Sequence, residues 1–129
     1  MRVMIAALAI MFLGASVSAA TEGTAAKARL QAAMQQHIQQ QVVDGAILHF
    51  DTGTGRVTPL YPTQAHPMVI AMGDHFVLCT DLRDKSGKSM PLDLYMTRKG
   101  RSYVVFHSEI DNRKPLQRLL KKGIARPLR

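Results

Sequence analysis

Five side chains near the middle of the chain, His66, Met68, Met72, His75 and Cys79, are of the types that hold soft metal ions. Thioether, thiolate and imidazole together suit Cu(I), while Zn²⁺ takes the cysteine and histidines. The spacing sets a condition. His75 and Cys79 are four residues apart, adjacent on a helix but roughly 13 Å apart along a strand. A metal site here needs a bend or ligands from neighbouring strands, because this stretch has no Cys-x-x-Cys, His-x-x-x-His or Met-x-x-Met pair. Without convergence, Met68 and Met72 are core residues and Cys79 is a small buried hydrophobe. The expectation is no cofactor, with copper or zinc as the alternative.

A second group depends on strand pairing. Phe76–Ile110 reads as a three-stranded antiparallel meander. Met90, Leu92, Leu94 and Met96 alternate with Pro91, Asp93, Tyr95 and Thr97, as on a half-buried strand. Phe76, Leu78, Thr80 and Leu82 form a similar row, and so do Val104, Phe106, Ser108 and Ile110. A loop at Asp84–Lys88 sets Leu82 opposite Met90 and Leu78 opposite Leu94. A three-residue loop at Arg98-Lys99-Gly100 sets Leu94 opposite Val104 and Leu92 opposite Phe106. The other face then gathers Asp81, Asp93, Tyr95, Tyr103, His107 and Glu109 as a ligand or partner surface. Cys79 and His107 are two strands apart in this register, roughly 10 Å and too far for a nucleophile–base hydrogen bond. Pro91 is the discordant residue, since proline cannot donate to a central ladder.

Asp51-Thr52-Gly53 resembles the catalytic loop of aspartic proteases, whose chemistry needs two carboxylates sharing a proton. In so short a chain the resemblance implies a dimer. His49 stands where that family has an apolar residue, and no later apolar-apolar-Gly segment supports the loop. The same residues make an ordinary hairpin turn, with Asp bonding the backbone and Gly supplying positive φ. With no nucleophile–base pair, phosphate loop or cofactor fingerprint, the expectation is a non-enzymatic protein.

Charge is concentrated at one end. Residues 113–129 hold seven of the 17 basic residues and no acid. Leu116, Leu119 and Leu120 line one face of a short basic helix that Gly123 stops. Arg118, Lys121, Lys122, Arg126 and Arg129 are left as contacts for an anionic membrane surface or an acidic partner. Export argues against nucleic acid.

Export follows from the N-terminus. A basic start, the apolar run Val3–Leu13 and the small residues Gly14–Ala20 have the pattern of a signal peptide cleaved near Ala19 or Ala20. The expected location is therefore secreted, periplasmic in a Gram-negative source. The single cysteine excludes an internal disulfide. The organisation expected is a signal peptide over 1–20, one α+β domain over 21–124 and a basic tail over 125–129. Thr24–Val43 has helical apolar spacing through Leu30, Met34, His37 and Ile38, with Asp44-Gly45 as a stop. Strands follow at Ala46–Asp51, Arg56–Leu60 and Met68–Met72, with Tyr61–Pro67 as a loop. The result is an N-terminal amphipathic helix packed on a four- to six-stranded antiparallel sheet, with a short C-terminal basic helix. This element order resembles the cystatin-like and NTF2-like folds, curved sheets wrapped on a helix. The function it leaves is a small exported binding or accessory protein for a small ligand or another protein, with copper or zinc handling as one alternative and surface docking as another.

Overall fold

The computed structural model describes residues 18–129, with side chains from Gly23 onward. The expected signal peptide lies outside the described residues apart from positions 18–20. The elements are α1 (Ser18–Gln41), β1 (Val42–Val43), β2 (Ala46–Asp51), β3 (Arg56–Met72), β4 (His75–Arg83), β5 (Ser89–Lys99), β6 (Ser102–Ile110), α2 (Lys114–Lys121) and β7 (Arg126–Pro127). Together they make an α+β fold. One antiparallel sheet runs in the order β1-β2-β3-β4-β5-β6, and β7 pairs with β3. No helix among the described residues is long and apolar enough to cross a membrane.

From Thr24 to Gln41, α1 contains neither Gly nor Pro and is rich in Ala and Gln, both good helix formers. Leu30, Met34 and Ile38, four apart, fall on one stripe and are buried against Leu60, Val69, Leu78, Leu94 and Met96. Each such burial stabilises by about 2 kcal/mol. Asp44-Gly45 was expected to stop the helix, but it makes a hairpin. Both residues have positive φ, 51° and 82°, and Val43 pairs with Ala46 across them. Two left-handed central residues make the tight turn that matches strand twist, so β-branched Val42 and Val43 leave the helix for the sheet.

The loop expected at Tyr61–Pro67 is instead part of one 17-residue strand, β3. Two register shifts against β4, between Pro62 and Ala65 and between Ala65 and Val69, absorb the prolines. Carbonyls in the bulged stretch find side-chain donors. The Thr80 hydroxyl donates to Gln64 O at 3.0 Å, and the Gln31 amide donates to His66 O at 3.2 Å. Bulging thus costs the backbone little.

The β4–β5 register is the expected one, with Leu82 opposite Met90 and Leu78 opposite Leu94. The Pro91 carbonyl accepts from the Asp111 amide at 2.8 Å, on the side away from β4. Its missing N–H therefore points past the β6 ladder, which starts at Leu92↔Ile110, and removes no β4 bond.

The β5–β6 register differs from the expectation. The turn is the two-residue Gly100-Arg101, with Gly100 at φ 62° and Lys99 opposite Ser102. Thr97 then faces Val104 and Met96 faces Val105, which alone would put His107 on the core side. A bulge at Phe106 resets the alternation, so Tyr95 faces His107 and Leu94 faces Ser108. Two assignments change. Tyr103 joins the core beneath α1, edge-on to Phe76 at 5.7 Å. Phe106 is 53% exposed and meets the His75 ring edge-on at 5.4 Å. We expect Phe106→Ser to shift stability by less than about 1 kcal/mol in urea unfolding, whereas a core phenylalanine would cost about 3. A loss of that larger size would show that Phe106 packs inward.

The opposite sheet face is not left open. Arg113 occupies the cap position of α2, and Pro115 lies in the helix's first turn. The Asn112 side chain is engaged by Glu109 Oε2 at 3.0 Å. Gly123, at φ 71°, turns the chain back. Residues 125–129, expected to trail off as a tail, are folded: Ala125 is buried, Arg126 pairs with Ala71, and the Leu128 amide donates to Val69 O.

Candidate functional site

β4 and β5 present Val77, Cys79, Tyr95 and Asp93 on the face away from α1. With Ile70 of β3, Leu116 of α2 and Ala125, the apolar members form a second, smaller core. Asp93 is 1% exposed within it. Its Oδ1 accepts from Arg113 Nη2 at 2.8 Å and its Oδ2 from Arg113 Nε at 3.4 Å. A forked guanidinium on a carboxylate is the arrangement that makes burying the charge tolerable. The pairing holds the Arg113 guanidinium above its ordinary value. It also fixes where α2 begins, because the residue at the cap position spends its side chain on the sheet.

Cys79 lies beside Asp93. Burial first, then the hydrogen bond to Asp93 and that carboxylate's charge, push the thiol from 9.0 up to about 12, and the opposing pull of Arg113 is smaller. A thiol held neutral is a poor nucleophile. Tyr95 is raised by burial and then by the Asp93, Glu109 and Cys79 charges, and its ring lies edge-on to His107 at 5.3 Å.

Between β3 and α2 this face opens into a cleft of about 400 Å³. Pro67, Met68, Ile70, Leu116 and Leu120 supply apolar walls, and His66, Cys79 and Arg113 supply polar atoms. His66 Nε2 is 3.0 Å from Asp81 Oδ2, so the imidazole is oriented from β4. Met68 is 55% and Leu120 37% exposed, placing them at the rim.

The residues expected from sequence are divided by this geometry. His66, Met68 and Cys79 share the cleft. Met72 and His75 pair with each other at the far end of the β3–β4 hairpin, and His75 Nδ1 is 3.1 Å from Thr97 Oγ1. Among the described residues, no three His, Cys, Asp or Glu side chains converge as a metal ion would require. Of the expected partner face, Asp93 and Tyr95 are buried under α2, Asp81 holds His66, and Tyr103 is on the other side of the sheet. His107 Nε2 and Glu109 Oε1 are 2.9 Å apart at the surface, and that contact with Asn112 lowers the Glu109 carboxyl. Asp51 is a turn acceptor: its Oδ1 receives the Gly53 and Thr54 amides at 2.8 and 3.2 Å, which lowers its carboxyl. Arg118, Lys121, Lys122, Arg126 and Arg129 are exposed, and no described carboxylate lies within ion-pairing reach of them.

Sequence reasoning missed Arg113 and Leu116 as parts of this site. The available signal was Asp93 itself, an acid in the middle of an apolar strand, which demands a cationic partner. Comparison with known proteins finds no matching family model, no matching curated protein and no matching solved structure.

Proposed function

We propose that this chain is a small exported, non-enzymatic binding or accessory module, and that its ligand or partner occupies the cleft between β3 and α2. One observation carries this: apolar walls surround a few fixed polar atoms, His66 and Arg113, each oriented by its own carboxylate. Such a combination is the usual composition of a small-ligand site. The protonated, buried Cys79 supports binding over covalent chemistry. The N-terminal helix packed on the opposite sheet face acts as rigid backing.

Native mass spectrometry of the protein purified from its export compartment, without chelator or affinity tag, is the test. We expect an adduct that Met68→Glu removes, a change at an exposed rim position that leaves folding intact. A bare wild-type monomer would overturn the small-ligand reading. Copper or zinc handling is a second reading, favoured by the meeting of His66, Met68 and Cys79 in the cleft. It predicts a one-equivalent metal mass lost in Cys79→Ser, and no metal uptake by the reduced protein would defeat it.

A further inference from the structure

On the other face of the sheet from the β3–α2 cleft, α1 and the β5–β6 turn bring together Arg29, Arg98 and Arg101. Arg29, Arg101 and Tyr103 line two adjoining cavities of about 210 and 320 Å³, and Arg98 joins them in the larger. The Arg98 guanidinium is held over the Tyr103 ring at 5.8 Å from its centroid. No described carboxylate lies within ion-pairing distance of any of the three. Gln36 and Ser102 add uncharged hydrogen-bonding groups, and Ala32 and Ala33 keep the helix side of the cavity open. Arg29 is brought from some 70 residues away in sequence to Arg98 and Arg101, and like charges gathered in one cleft repel one another where no described carboxylate is paired with them.

We propose that this cleft is an oxyanion site that takes a phosphate-class group, as a soluble phosphate ester or diphosphate or as a phospholipid headgroup. Planar guanidinium forks match the paired oxygens of phosphate, a geometric fit that a point anion such as chloride does not offer. Arg98, braced on Tyr103, is ordered before binding, so less entropy is lost when it engages an anion. The site is separate from the β3–α2 cleft and independent of what occupies that cleft.

The test is calorimetric titration of the full chain with inorganic pyrophosphate at low ionic strength. We expect one-site saturation, weakened about tenfold by Arg29→Gln and by Arg101→Gln, in keeping with the loss of one charged hydrogen-bonding group. The double variant Lys121→Gln/Lys122→Gln, which lowers net charge by the same kind of change on the opposite face of the sheet, should bind as wild type does. Co-sedimentation with phosphatidylglycerol vesicles separates the two sources. Retention that the two arginine variants lose identifies a lipid headgroup, and pyrophosphate binding without retention identifies a soluble ligand. No saturable binding of pyrophosphate, or equal weakening in the lysine double variant, overturns the proposal.

Discussion

Native protein at pH 8 is expected to react with iodoacetamide about a thousandfold more slowly than the same chain unfolded in denaturant. The reactive species is the thiolate, and a thiol raised from 9.0 to about 12 has about a thousandth of the thiolate an ordinary cysteine has at that pH. Burial beneath α2 slows access further. Equal rates in the two states would show that Cys79 is neither buried nor held protonated. The same shift predicts a pH dependence of stability. A group whose folded value is raised stabilises the fold fully below its unfolded value and loses that contribution as pH climbs to the folded one. Stability should therefore fall between about pH 9 and 12 more steeply in wild type than in Cys79→Ala. Parallel curves for the two proteins would contradict the assignment.

The second large effect concerns Asp93 and Arg113. Arg113→Met should cost about 3 kcal/mol in urea unfolding, because it leaves a carboxylate that is almost wholly removed from water without its cation. The reverse change is expected to be milder. Arg113 is about one-third exposed, so in Asp93→Leu the guanidinium can turn to solvent. The double variant Asp93→Leu/Arg113→Met should recover most of the loss, since apolar groups of similar size can replace a buried ion pair at little net cost. A small penalty in the single Arg113 variant, or a double variant no better than it, would mean the pair does not anchor α2.

Several elements could be read from residues alone because local chemistry decided them. The Asp84–Lys88 turn is closed by its own side chain. Asp84 Oδ1 accepts from the Ser86 and Lys88 amides at 2.9 and 3.0 Å, so the loop length and the β4–β5 register follow from those five residues. The α1 stripe of Leu30, Met34 and Ile38 is likewise visible as spacing. Errors arose where two local solutions were compatible with the same pattern. Asp44-Gly45 suits a helix stop and a type I′ hairpin equally, and only pairing of Val43 with Ala46 selects the hairpin. Gly100 suits either a three- or a two-residue turn. The bulge at Phe106, which repairs the alternation after the shorter turn, has no marker in sequence because any residue can be the extra one.

By itself, then, the sequence determined the α+β class, the apolar faces of α1, β4 and β5 and the cationic end of the chain. These are periodicities and compositions of continuous segments, set by 3.6- and 2-residue repeats. Tertiary structure alone decided that α2 covers the face of Asp93 and Tyr95, that His66, Met68 and Cys79 share a cleft without Met72 and His75, and that Arg29 meets Arg98 and Arg101. Each of these depends on packing between elements far apart in the chain. Moving a strand register by one residue would send every side chain beyond it to the other face, and with them the residues that line either cleft.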